Sequence, residues 1–170
     1  MTGASRSLRR KRLVKVSANE LQAQLNKAFL GLGLSTAAAA DSSDMICWLE
    51  LHGFDVIPLL PQTLELLTTR DQNDQSDTSP VSYIHWQPEE KTLVCDARGS
   101  STLPYSNLWL EYARSLSAQQ GAIKVDVRKA PDAFLAVGYL AKFVSAGINI
   151  CGYARRSNES TAMVFKFDAS

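Results

Sequence analysis

Side chains able to transfer protons, attack as nucleophiles or ligate metals are sparse in this chain. Its two histidines are His52 and His85, and its three cysteines are Cys47, Cys95 and Cys151. The cysteines are far apart and form no C-x-x-C pair, which argues against a disulfide framework or a zinc site and for buried, reduced thiols in a reducing cytoplasm. His85 lies between Ile84 and Trp86 in an alternating strand, so it should face away from them, on the exposed side. His52 stands in the stretch "LELHGFDVIPLLP" (49–61), in the last turn of an expected helix. Histidine there can bond the helix's open carbonyls and complement its dipole, or it can serve a pocket. Asp96, at the end of a strand, suits turn or helix capping better than catalysis. "ARGSS" (97–101) reads as an anion-binding turn or as an ordinary one. No P-loop, strand-following G-x-G-x-x-G, G-x-S-x-G elbow or H-E-x-x-H is present.

The elements that must hold these residues follow from periodicity and punctuation. Residues 1–15, with "SLRRKR", read as a flexible basic arm; a solvated tail is favoured over phosphate contact because nothing else in the sequence reinforces a basic surface. No apolar stretch follows it as a secretory signal would require, and no run is long enough to span a bilayer. "SANE" forms a capping box from Ser17 to Glu20, followed by an apolar stripe of Leu21, Leu25, Phe29 and Leu32 and a stop at Gly31 and Gly33. Ser35 caps a second helix that carries Met45, Trp48, Leu49 and His52 on one face and stops at Gly53. Asp55 is placed to cap a third, short helix through Leu59, Leu60, Leu64 and Leu67. These helices make a helical lobe over 16–70, followed by a polar linker or loop at 71–80. From 81 to 170 the period changes. Strands are expected at 81–86, 91–97, 122–127, 148–154 and 162–167. Helices are expected at 104–120, with a stripe of Leu108, Tyr112, Ser115, Leu116 and Gln119, and at 131–146, with Pro131 in its first turn and Phe134, Val137, Leu140, Ala141 and Val144 as its stripe. The fold class is therefore α/β (α+β): an N-terminal helical lobe followed by a mixed sheet covered by helices, together one compact domain. A 45% hydrophobic composition supports such a core, and a formal net charge of +1 gives no overall pull toward nucleic acid or an anionic membrane.

The order of three stretches resembles the N-terminal half of the type 2 malate/L-lactate dehydrogenase family. "VSANELQAQLNKAFLGLGLSTAAAADSSDMICWLELHGFD" is similar to that family's opening helices, "TLVCDARGSSTLPYSNLWLEYARSLSAQQGAIKVDVR" to its next strand, helix and strand, and "DAFLAVGYLAKFVSAGINICGYA" to its "HFGAAGYYALMAAEAGLIGIA" segment. The opening helices also resemble a group of short bacterial proteins of unknown function. Against the dehydrogenases' Arg-Gly-His-Asp-Ser-His-Gly, this chain has His52, Gly53, Phe54, Asp55, Val56, Ile57 and Pro58. Gly53 and Asp55 match, whereas the serine and both histidines become apolar. A further histidine of the family stands here as Ala133, beside matching Phe134, Gly138 and Tyr139. The C-terminal part that completes the family's cofactor site has no counterpart in the sequence.

A positioned general acid or base is worth about 10²–10⁴ in rate. Valine, isoleucine and alanine cannot supply it, though buried aliphatic side chains contribute about 1.5–3 kcal/mol each to packing. The resemblance thus implies a non-catalytic, shortened relative acting as a binding or interaction module, without catalytic residues, metal or cofactor. His52, Asp55, Arg128 and Asp132 form the candidate pocket, with His52 able to hold a small anionic ligand beside Arg128 or Lys129. The alternative is an NAD- or NADP-dependent oxidoreductase of small 2-keto or imino acids whose site is relocated onto those same residues. A further alternative is weak nucleic-acid binding through the basic arm. A homodimer is expected from the resemblance, and no membrane partner.

Overall fold

The computed structural model describes residues 15–68, 84–144, 147–154 and 163–167. The basic arm up to residue 14 and the whole expected linker lie outside these residues. The elements run α1 (Ala18–Gly31), α2 (Thr36–Leu51), a 3₁₀ turn (Ile57–Leu59) leading into α3 (Leu60–Thr68), β1 (Ile84–Gln87) and β2 (Thr92–Asp96). They continue with α4 (Ser106–Gln120), β3 (Lys124–Arg128), a second 3₁₀ turn (Ala133–Ala136), α5 (Val137–Val144), β4 (Ile150–Ala154) and β5 (Met163–Phe167). The fold is α+β, a helical lobe followed by a small mixed sheet. None of the described helices is long and apolar enough to cross a membrane.

The capping chemistry sets the first helices. Ser17 Oγ accepts from Glu20 N–H while Glu20 Oε2 accepts from Ser17 N–H and O–H, closing the capping box. The two helix ends that follow are alike. Gly33 (φ 86°) donates to Leu30 and Leu34 N–H to the Phe29 carbonyl; Gly53 (φ 82°) donates to Glu50 and Phe54 N–H to Leu49. Each is a left-handed glycine cap with an apolar residue just beyond it, so the chain turns back and α2 lies along α1. The third helix is capped differently from the expectation. Asp55 is exposed, and Glu50 Oε1 accepts from Val56 N–H at 2.6 Å and Ile57 N–H at 2.7 Å. A glutamate one turn back reaches the open amides where the aspartate does not.

Two hydrophobic cores form. In the larger, Leu25, Phe29, Met45, Ile46, Leu49, Val56 and Leu60 of the helical lobe meet Leu135, Val137, Leu140 and Phe143 around α5. Gly138 makes the contact between α2 and α5 close: a Cβ there would lie 2.5 Å from the Met45 carbonyl oxygen. The smaller core joins Leu93, Cys95 and Ala97 to Trp109, Ala113 and Leu116. The face of α4 that is buried thus runs through Ser106, Trp109, Leu110, Ala113 and Leu116. Of the expected stripe only Leu116 is on it; Leu108 and Tyr112 are about two-fifths exposed. Trp109 is the largest side chain of the helix, and the sheet takes it together with the small Ala113, one turn on.

The sheet has the order β1-β2-β3, with β1 antiparallel and β3 parallel to β2. Leu93 and Cys95 of β2 pair with Trp86 and Ile84 of β1 and with Val125 and Val127 of β3, so these six share the face that α4 covers. The opposite face carries His85, Val94, Asp96, Lys124, Asp126 and Arg128. His85 is exposed, as alternation requires. Strands β4 and β5 pair antiparallel as a separate two-stranded sheet. The last helix begins later than Pro131 suggested. Asp132 sits at the N-cap position without capping by its side chain, and a 3₁₀ turn precedes α5. Phe134, Val137 and Leu140 join the core as expected, and Leu135, Tyr139 and Phe143 do so as well.

Candidate functional site

The four residues of the candidate pocket occupy separate local networks. His52 ends α2 on the surface. Its Nδ1 lies 2.8 Å from the Trp48 carbonyl oxygen, and its ring stacks on Trp48 with centroids 3.9 Å apart. This is the carbonyl-capping role open to a histidine in a last helical turn. Asp55 is exposed three residues further on. Arg128, at the end of β3, pairs with Asp126 at 2.8 Å on its own strand. Among the described residues, no hydrogen bond or ion pair joins any two of the four.

Asp132 is the most constrained of them. It is 8% exposed. One carboxylate oxygen accepts from Ser101 Oγ–H at 2.5 Å; the other accepts from Thr102 N–H at 2.7 Å and Thr102 Oγ1–H at 3.0 Å. Ser101 Oγ in turn accepts from Leu103 N–H at 3.1 Å. Burial raises the carboxyl above its usual range, opposed by the bonds from Ser101 and Thr102. The carboxylate thereby ties the loop after β3 to the loop after β2. Ser101 and Thr102 were not legible as its partners; the only signal was the polar run "RGSST" directly after a strand.

A second tie joins the same loops nearer the sheet. Asp96 accepts from Arg98 N–H at 2.8 Å and from Lys129 Nζ at 3.1 Å. The Arg98 amide, then Lys129, hold its carboxyl below the usual range. Asp96 is therefore a turn-capping residue. Arg98 (φ 50°) and Lys129 (φ 48°) both adopt left-handed backbone, and Gly99 N–H donates to Lys129 O at 2.7 Å.

The turn after α2 is packed at Phe54 and Val56. Val56 is 1% exposed. Phe54 lies between Trp48 (centroids 6.2 Å) and Phe134 (5.8 Å). Ile57, by contrast, is 37% exposed and adds nothing to this packing. Among the described residues, a cavity lies elsewhere. A space of about 270 Å³ opens between the α1–α2 turn (Leu32, Leu34, Ser35), the end of α3 (Leu66, Leu67) and the loop after β2 (Ser100). None of the four candidate residues lines it. Among the described residues no group of three or more His, Cys, Asp or Glu side chains could hold a metal ion. Cys47 and Cys95 are buried free thiols, as expected, but Cys151 is exposed.

Fold and site together define a small α+β protein whose recognisable polar clusters serve as loop ties and helix caps. Residues 16–98, which run from the start of the helical lobe through β2, match the family model described as Protein of unknown function (DUF3726). No curated protein matches the chain.

Proposed function

We propose that the chain is a non-catalytic relative of the malate/L-lactate dehydrogenases, working as a cytoplasmic binding module. The packing of Phe54 and Val56 carries this reading. At these positions the resembled family places a histidine and a serine; here a phenylalanine meets two aromatic rings and a valine is buried. Neither side chain can exchange a proton. Asp132, the buried carboxylate of the candidate set, is committed to three donors from Ser101 and Thr102. His52 is committed to Trp48.

A ligand would be taken in the cavity beside the α1–α2 turn. Leucines wall it, and Ser35 and Ser100 offer hydroxyl groups. At about 270 Å³ it lies just below the usual range for drug-sized ligands, which suits a compact molecule and not a dinucleotide. The test is fluorescence titration with NADH and NADPH, together with turnover assays on pyruvate, oxaloacetate and cyclic imino acids. No saturable dinucleotide binding and no turnover are expected; robust turnover with any of these substrates overturns the proposal.

A further inference from the structure

Among the described residues the outer edge of β3 is unpaired and self-complementary, and we infer that it pairs antiparallel with β3 of a second copy, joining two three-stranded sheets into one of six. Among the described residues β3 pairs only with β2. Lys124 N–H donates to Lys91 O, and Arg128 O accepts from Ala97 N–H, so the even-numbered residues of β3 spend their backbone groups on β2. Alternation then points the N–H and C=O groups of Val125 and Val127 out of the sheet. Such an open edge is a template for another strand.

A two-fold pairing must set odd residues opposite odd ones for those groups to bond, which leaves few registers. Centred on Asp126, it would oppose Asp126 to its own copy and Lys124 to Arg128. Centred on Lys124, it would oppose Lys124 to itself. Centred on Val125, it opposes Lys124 to Asp126 of the other copy twice, Ile123 to Val127 twice and Val125 to itself. Small Ala122 then faces Arg128. Centred on Val127, it would also oppose Asp126 to Arg128 but would set Val125 against Lys129, so only the Val125 register puts opposite charges across from each other on the polar face and keeps branched aliphatic side chains together along the α4 face. Asp126 already bonds Arg128 within its strand through Oδ2 and can accept Lys124 of the copy through its second oxygen. Val127 is 36% exposed, an apolar side chain that the pairing would cover. The other sheet edge, β1, carries no acidic side chain to set a comparable register.

Sedimentation velocity and disulfide trapping test the pairing in the full chain. A concentration-dependent dimer is expected. Lys124→Asp or Asp126→Lys alone should weaken it by about tenfold, and the two together should restore it. In a Cys151→Ser background, Val125→Cys should give a disulfide-linked dimer under mild oxidation, because directly opposed residues of a hydrogen-bonded antiparallel pair have Cα atoms within disulfide range. Asp126→Cys in that background should not. Circular dichroism and melting temperature verify that each variant is folded; for an unfolded variant, trapping at position 125 alone decides. A chain that stays monomeric at its highest attainable concentration overturns the inference. So does a dimer that neither responds to the charge exchange nor traps at position 125.

Discussion

Asp132 was legible as a candidate because it is an aspartate between a strand and a helix; what it does was not, because its partners are some 30 positions away in the chain. Replacing it with alanine would leave Ser101 O–H and Thr102 N–H without their acceptor and Thr102 O–H with only the backbone carbonyl of position 132, at 3.3 Å. A buried orphan costs about 1–3 kcal/mol, so Asp132→Ala should lower the urea-unfolding free energy by about 3 kcal/mol, with Asp132→Asn milder. The pH dependence has a definite sign. Burial raises this carboxyl above the ordinary value of 3.8, so the folded state keeps its proton to higher pH than the unfolded state. Where the folded state binds more protons, stability falls as pH rises. Unfolding across that window should show a downward contribution with rising pH that Asp132→Asn removes. Asp96 acts in the opposite sense: its carboxyl is held low by the Arg98 amide and Lys129, so its contribution is lost as pH falls through its folded value. The cysteines give a separate check. Burial pushes Cys95 up to about 12 and also raises Cys47, whereas Cys151 is exposed. A thiol reagent should modify Cys151 rapidly in the native protein and reach Cys47 and Cys95 only on unfolding.

Helix starts and stops were the most legible features because they rest on contacts only a few residues apart. The Ser17–Glu20 box and the left-handed caps at Gly33 and Gly53 are local geometry. The cap on the third helix was missed because the competing acceptor, Glu50, lies six residues back across the turn. Glu50→Ala should cost about 1–2 kcal/mol and loosen the 54–57 turn, read as faster amide exchange at Val56 and Ile57; Asp55→Ala should do neither. The buried face of α4 was missed because its apolar residues fit more than one stripe, and the choice depends on whether Trp109 or Tyr112 meets the sheet. Gly138 raises a related point, since its necessity comes from another helix. A methyl group there would meet the Met45 carbonyl oxygen at 2.5 Å and Leu49 Cγ at 3.1 Å. The first is backbone in mid-helix and cannot swing aside, so α5 must move away from α2. Gly138→Ala should destabilise by about 1–3 kcal/mol despite alanine's better helix propensity, and a melting curve reads the loss directly.

At the scale of the whole molecule, the chain separates on paper into a helical lobe and a sheet lobe, yet α4 serves both cores. Leu110 joins the larger one, with Leu103 just before the helix, while Trp109, Ala113 and Leu116 of the same helix complete the smaller one. Neither lobe closes without it, and α5, from the second half of the chain, fills the helical lobe across Met45 and Leu49. The matched stretch 16–98 ends at the loop after β2 and so contains neither helix nor β3. Cut there, it would expose Leu93 and Cys95, now fully buried, and would leave β2 without its parallel neighbour. An exposed apolar hairpin beside an open helical face cannot offset the entropy of its own ordering. The full chain should therefore unfold in one cooperative transition, with near-ultraviolet dichroism and far-ultraviolet dichroism lost together in urea. A fragment of residues 16–98 should keep helical signal from α1 and α2 but give poorly dispersed amide resonances and bind a hydrophobic dye. A well-dispersed spectrum from that fragment would mean that the helical lobe and hairpin are self-sufficient and that α4 packs onto a finished unit.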